Sequence, residues 1–242
     1  MNIYGLLGRD IGYSFSRNYF SDKFRKENLD CQYQNFDLQK IDALKTIIQN
    51  TNIKGMNVTI PYKEEVIPYL DTLDAVAQEI GAVNVIKFEN NGTLTGYNSD
   101  YYGFTESLKP LLNDAIKKAL ILGTGGASKA IAFALTKLKI KYTFVSRNPD
   151  FEELSYNNLD EDIINDFKLI INCTPLGTHP NVENHPDIPY EYLGEHHVLY
   201  DLIYNPEETT FMKKGKEKGA TIANGLKMLV LQAEKSWEIW NQ

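Results

Sequence analysis

The chain has 242 residues, 43% of them hydrophobic, with a formal net charge of −7 and a pI of about 5.2. That is enough apolar material for one large or two small domains. The acidic balance, with no extended Lys/Arg cluster, argues against a nucleic-acid or anionic-membrane binder. Two cysteines, Cys31 and Cys173, are too few for a disulfide framework or a structural zinc site. No run approaches the ~20 apolar residues of a membrane span, and residues 1–10 lack a signal-peptide pattern. The expectation is a cytoplasmic protein with reduced thiols.

Hydrophobic periodicity predicts strands and helices in alternation. Residues 3–7 read as a short strand, 18–27 as a helix, 33–38 as extended, 41–48 as helical and 55–60 as extended up to Pro61. Residues 64–70 start a helical turn, 74–80 read as a helix and 82–88 as a strand. Asn90, Asn91 and Gly92 form a hairpin signal before a strand over 93–97. A helix is predicted over 98–112. A second unit follows: strands at 118–122, 142–146, 169–173, 198–203 and 220–223, with helices at 127–138, 207–218 and 226–240. Such alternation implies a parallel sheet covered on both faces.

The turn Gly123-Thr124-Gly125-Gly126-Ala127 lies between a predicted strand and helix, the setting of a dinucleotide fingerprint. Gly123 permits a tight turn, Gly125 lets a pyrophosphate approach, and the helix N-terminus offers amide donors. Ser128 replaces the third glycine; the simpler alternative is a generic strand-to-helix turn. An NAD site usually carries a carboxylate at the end of the next strand. Here Ser146 and Arg147 stand there, and a guanidinium suits a 2′-phosphate, so the pattern favours NADP.

Polar clusters gather at the predicted element ends of the first unit: Ser14-x-Ser16, Asn57-x-Thr59-x-x-x-Lys63, Asn84, and Asn98-x-Asp100. Strand ends are where α/β folds build sites. Each residue also has a plainer reading, Ser14, Asn98 and Asp100 as helix N-caps above all. Four histidines, His179, His185, His196 and His197, read as loop and edge residues, and no metal site is expected.

With the segments Ser14-x-Ser16, Gly55-Met56-Asn57-Val58-Thr59-Ile60-Pro61-Tyr62-Lys63, Gly81-Ala82-Val83-Asn84, Gly96-Tyr97-Asn98-Ser99-Asp100 and Gly123-x-Gly125-Gly126-Ala127, the chain resembles the shikimate dehydrogenase family. Asn172-x-Thr174-Pro175-x-Gly177, Asp201-x-x-Tyr204-Asn205-Pro206 and Asn224-Gly225-x-x-Met228-x-x-x-Gln232 complete the series in family order. The resemblance implies an α/β protein of two domains. Residues 1–101 plus 224–242 would bind substrate and carry the catalytic groups, with the C-terminal helix returning to this domain. Residues 102–223 would form a Rossmann-like, doubly wound NADP-binding domain.

The implied activity is NADP-dependent reversible reduction of 3-dehydroshikimate to shikimate, in the shikimate pathway of aromatic amino-acid biosynthesis. Related alternatives are a broader quinate/shikimate dehydrogenase using NAD or NADP, and a non-catalytic ligand sensor. By resemblance, Lys63 and Asp100 are the catalytic pair at the reacting oxygen. Ser14, Ser16 and Thr59 match the carboxylate-binding groups, Asn84, Asp100 and Gln232 the groups on the ring hydroxyls, Asn57 a support and Tyr204 a residue near substrate and nicotinamide. Gly123, Gly125, Gly126, Ala127, Ser146, Arg147, Asn172, Thr174 and Gly225 are the implied cofactor residues. Partners are the small-molecule substrate alone, with no nucleic acid and no membrane, in a monomer or homodimer. The chain departs from the family at Arg17-Asn18 after the serine pair, at Lys129 after the glycine turn, and in a reduced connection over 147–170.

Overall fold

The computed structural model describes residues 1–12, 14–49 and 52–242, in two units, Met1–Ser99 with Ala233–Gln242, and Asp100–Gln232. In the first unit the elements run β1 (Asn2–Gly8), α1 (Phe15–Lys26), β2 (Cys31–Asp37), α2 (Leu44–Ile47), β3 (Ile53–Val58), α3 (Tyr62–Glu65), β4 (Thr72–Leu73), α4 (Ala75–Ile80), β5 (Val85–Phe88) and β6 (Leu94–Tyr97). Among the described residues they form a six-stranded sheet in the order β2-β1-β3-β5-β6-β4.

This sheet is mixed, where strand–helix alternation predicts a parallel one. β5 runs antiparallel to both β3 and β6. A tight hairpin can join only antiparallel strands, and Gly92, at φ +88°, makes that turn. The Asn91 Oδ1 accepts the Thr93 amide at 3.0 Å and completes it.

Side chains alternate across the strands and split the apolar residues between two faces. Leu7, Met56, Val58 and Ile86 pack with Leu44, Tyr62 and Val66 on one face. Tyr4, Leu6, Tyr33 and Val85 pack on the other with Phe20, Phe24 and Trp240. Gly55 is required there, because a Cβ at this position would overlap the Trp240 indole. The indole Nε1 donates to the Ile86 carbonyl at 3.0 Å.

The second unit holds α5 (Asp100–Leu108), β7 (Lys118–Leu122), α6 (Gly126–Lys137), β8 (Lys141–Ser146), β9 (Leu154–Ser155), α7 (Glu161–Asp166), β10 (Leu169–Asn172), β11 (Val198–Asp201), α8 (Thr210–Glu217) and β12 (Thr221–Ala223). The last helix, α9 (Leu226–Trp240), belongs to this unit through Gln232 and to the first from Ala233. The sheet order is β12-β11-β10-β7-β8-β9, parallel throughout. Its order reverses at β7, the start of the doubly wound pattern.

Ala119, Ile121, Leu169, Ile171, Val198 and Tyr200 point to one face with Ile131 and Leu135 of α6. Leu120, Leu122, Ile170 and Leu199 point to the other with Ile164, Phe211 and Met212. Strands buried on both faces read as continuous apolar runs, and these do.

Several element bounds differ from the periodicity reading, each for a local reason. The helix predicted over 98–112 starts at Asp100 and gives way to a 3₁₀ turn, Lys109–Leu111, because Pro110 lacks the amide hydrogen a helix needs. The Asn98 side-chain amide, just ahead of that helix, donates to the Ala82 carbonyl at 2.9 Å. The helix predicted from 207 begins at Thr210, where Thr209 caps it by accepting the Met212 amide. The reduced connection over 147–170 consists of two-residue β9, a 3₁₀ turn at Tyr156–Asn158 and six-residue α7.

Candidate active site

In the first unit the polar residues singled out by sequence cluster around the C-terminal end of β3. Ser14 is the N-cap of α1, its Oγ accepting the Arg17 amide at 3.1 Å. Capping uses only the oxygen lone pair, so the hydroxyl proton remains available to an anion. Ser16, the second residue of the same helix, is buried. Thr59 follows β3 and is half-buried, its amide donating to the Leu7 carbonyl at 2.8 Å. Lys63 sits in α3, half-buried, and its carbonyl accepts the Val83 amide at 2.8 Å. That bond ties α3 to the segment leading into Asn84.

Asn57 and Asn84 are both buried and both fully engaged. The Asn57 Oδ1 accepts the Tyr33 hydroxyl at 2.8 Å, and its Nδ2 donates to Ser236 Oγ at 2.9 Å. The Asn84 Oδ1 accepts the Ser99 amide at 2.6 Å, and its Nδ2 donates to Ser99 Oγ at 3.0 Å. Ser99 and Ser236 stand 3.1 Å apart through their hydroxyls. Tyr33 and Ser236 are not among the residues the sequence reading singles out, and Ser99 is quoted there only within a segment, without a role. All three are uncharged and come from distant parts of the chain, and Tyr33 and Ser236 lie in no motif.

In the second unit Asp100 is buried and opens α5. Gly103, one turn later, lets α5 approach α9 closely: a Cβ would stand 2.6 Å from the Met228 carbonyl and 2.9 Å from the Gln232 Cβ. Gln232 is buried on α9 and its Nε2 donates to the Leu229 carbonyl at 3.0 Å. Tyr204 stands partly exposed in the loop after β11, and burial of its ring raises its pKa.

The glycine turn has the features a phosphate needs. Gly123 is at φ +97°, a left-handed conformation that side chains resist. Gly125 is the N-cap of twelve-residue α6, no side chain caps that helix, and a Cβ on Gly125 would meet nothing within 4 Å. The helix begins at Gly126 and Ala127 with no acidic residue in its first turn, so its amides offer an uncontested anion site. Ser146 ends β8 and Arg147 follows it, exposed and close enough to Tyr156 to oppose the burial-driven rise of that phenol's pKa. This donor set fits a dinucleotide carrying a 2′-phosphate.

Asn172 is fully buried beneath the neighbouring loop. Its Oδ1 accepts the Thr174 amide at 3.0 Å and the Thr174 hydroxyl at 2.6 Å, while its Nδ2 donates to Asp201 at 3.0 Å. Asp201, which the sequence reading quotes without a role, also accepts the Ile203 amide at 3.0 Å and the Thr209 hydroxyl at 2.6 Å. Burial pushes its carboxyl from 3.8 up to about 6, against these three hydrogen bonds. A carboxylate ending an apolar strand was the available signal. Gly225 lies against the Leu202 carbonyl, with no room for a side chain.

Among the described residues no group of three His, Cys, Asp or Glu could hold a metal, and no helix is long and apolar enough to cross a membrane. His197 is not an edge residue as read from sequence. It is buried, its Nε2 meets the Ile164 carbonyl at 2.9 Å, and burial lowers its pKa.

A family model described as the shikimate dehydrogenase substrate binding domain matches residues 6–86. A shikimate dehydrogenase (NADP(+)) of Clostridium botulinum is 39% identical, the match covering 98% of this chain and 95% of the relative. The crystal structure of shikimate dehydrogenase from Aquifex aeolicus superposes with a TM-score of 0.89 at 36% identity, covering 100% of this chain and 92% of that one. The Thermus thermophilus shikimate 5-dehydrogenase, solved with NADP(H) and shikimate, gives a TM-score of 0.88 at 29% identity over 99% and 93% of the two chains. Identity at this level along almost the full length of both sequences, with the same fold, means that the chain belongs to the shikimate dehydrogenase family.

Proposed function

We propose that this protein catalyses the NADP-dependent, reversible reduction of 3-dehydroshikimate to shikimate. The observation that carries the reading is the near-full-length identity to the NADP(+)-dependent enzyme of Clostridium botulinum. Residues 1–101 with 224–242 carry most of the substrate groups and 102–223 the cofactor, in the cytoplasm, where Cys31 and Cys173 stay reduced as the free thiols they are.

Ser14, Ser16 and Thr59 supply hydroxyl donors for the substrate carboxylate. Three neutral donors suit an anion in a protein of net charge −7, because they orient the group while leaving selectivity to geometry. Asn84, Asp100 and Gln232 take the ring hydroxyls, Asn57 supports the serine side, and Tyr204 covers the reacting end. Gly123, Gly125, Gly126 and Ala127 hold the pyrophosphate, Ser146 and Arg147 the 2′-phosphate, and Thr174 and Gly225 the nicotinamide side. Asn172 acts from below by holding the Thr174 loop.

The reduced nicotinamide, when bound, supplies a hydride to the ketone carbon. Lys63 stabilises the negative charge this leaves on the ketone oxygen and delivers a proton to it. Asp100 relays that proton. In the oxidative direction the same groups run in reverse.

The decisive experiment is to mix the purified protein with NADPH and 3-dehydroshikimate and follow NADPH absorbance. Steady consumption with formation of shikimate is expected. Tight binding of both ligands without turnover would favour a sensor, and faster turnover with NADH or quinate would favour the broader dehydrogenase.

A further inference from the structure

A buried chain of uncharged side chains runs through the first unit and ends on two of the proposed substrate groups. Its members are Ser16, Tyr33, Asn57, Ser236, Ser99 and Asn84. Burial raises the Tyr33 pKa, and the Ser16 hydroxyl beside it opposes that rise. Tyr33 donates to Asn57 at 2.8 Å, and Asn57 donates to Ser236 at 2.9 Å. Ser236 and Ser99 are 3.1 Å apart, and Ser99 holds Asn84 by two bonds, at 2.6 and 3.0 Å.

Each link restricts the next. The Tyr33 ring is stacked on Phe20, centroids 4.8 Å apart and planes 13° from parallel, which fixes where its hydroxyl points. The Asn57 Nδ2 also donates to the Asn84 backbone carbonyl at 3.3 Å, a group that can only accept, so the Asn57 amide has one orientation, with Oδ1 toward Tyr33. Ser99 engages both ends of the Asn84 amide in the same way. Asn57 faces the aromatic side of the sheet, where an unsatisfied amide would be costly, so these bonds are held firmly. Because the Tyr33 proton is committed to Asn57, Ser16 can meet the Tyr33 oxygen only as a donor, and an arriving carboxylate competes for that same Ser16 proton while the links from Tyr33 to Asn84 stay intact.

We propose that Tyr33 and Ser236 are positioning residues for shikimate: through Asn57 and Ser99 they set the spacing between Ser16, on the carboxylate, and Asn84, on a ring hydroxyl. The proposal rests on the substrate roles given above to Ser16 and Asn84. Neither Tyr33 nor Ser236 touches substrate. A rigid neutral chain determines which ring substituents fit the distance between its ends, and it works at any pH at which the enzyme folds, because none of its members ionises near neutrality.

The test is steady-state kinetics of Tyr33→Phe and Ser236→Ala, with the unmodified chain alongside. Each variant removes one hydroxyl and little volume. The KM for shikimate should rise about tenfold in each, with the KM for NADP within twofold of the unmodified value. Because both hydroxyls act on the same Asn57, the double variant should show much less than the product of the two effects. A purely structural role would lower the melting temperature and leave the shikimate KM unmoved, which overturns the proposal. Equal rises in both KM values also overturn it, and so does failure of both variants to fold. If one variant fails to fold, the other decides. Absence of turnover by the unmodified chain would overturn the functional reading itself, a result distinct from normal kinetics in the variants.

Discussion

The Asn172 side-chain amide donates to the Asp201 carboxylate at 3.0 Å, tying together the last residues of neighbouring strands β10 and β11. Asp201 is fully buried and its carboxyl sits at about 6 instead of 3.8, so the ionised form is tolerated at a cost. Between those values the folded protein holds a proton that the unfolded chain has released. Stability therefore falls as pH rises from about 4 to 6 and is flat above, a loss of about 3 kcal/mol for a shift of this size. Asp201→Asn keeps the acceptor for Asn172 and Ile203 and never ionises. Its stability relative to the unmodified protein should improve between pH 4 and pH 7, measured by urea denaturation at each pH. A difference that stays constant across this window would mean that the Asp201 carboxyl is not shifted.

Lys63→Met removes the ammonium while keeping most of the side-chain volume. The backbone of Lys63 is held independently, by its carbonyl accepting the Val83 amide, so the fold should be unaffected. The kcat for shikimate oxidation should fall by about 100- to 1000-fold, with shikimate binding still measurable by calorimetry. Retention of most of the kcat would remove Lys63 from the chemistry.

Arg147 stands exposed at the end of β8, where its guanidinium has solvent access and no carboxylate beside it in sequence. Arg147→Ala should raise the KM for NADPH by roughly 10- to 100-fold, the worth of a charge-assisted phosphate contact. Rates with NADH should barely change, because that cofactor lacks the 2′-phosphate. Equal losses with both cofactors would mean that Arg147 supports the loop and does not read the phosphate.

Gly55→Ala places a methyl group where the Trp240 indole lies. Either the strand or the indole must move, and the bond from Nε1 to the Ile86 carbonyl breaks. A loss of about 3 kcal/mol is expected from urea denaturation, with red-shifted tryptophan emission in a Trp237→Phe background. An unchanged emission maximum would show that the sheet absorbs the methyl group without displacing Trp240.

Much of this architecture is legible before any coordinates. The apolar runs of β7, β10 and β11 announce a sheet buried on both faces, and 226–240 is read with the same bounds it has in the structure. The glycine turn is legible because strand, turn and helix are contiguous, and only local rules are needed. The direction of β5 is not, since periodicity gives a strand's faces and never its neighbours. Asn98 stands where a helix cap would, but the bond its side-chain amide makes to the Ala82 carbonyl, on a segment earlier in the chain, has no local sign in the sequence. The polar residues of the first unit are visible as residue types, but their bonds are tertiary facts. Asn57 meets Ser236 across 179 positions of sequence, and a lone serine in the middle of a helix carries no local sign of such a partner.

The first unit is assembled from two pieces of chain, Met1–Ser99 and Ala233–Gln242, whereas the second is one uninterrupted run. During translation the ribosome therefore delivers Tyr4, Phe20 and Tyr33 long before Ser236 and Trp240, the groups that cover and satisfy them. The unit made first is the one completed last. Until the final helix emerges, the nascent amino-terminal half carries an open aromatic face and an Asn57 that lacks its Ser236 acceptor, making it the stretch most exposed to chaperones and proteases.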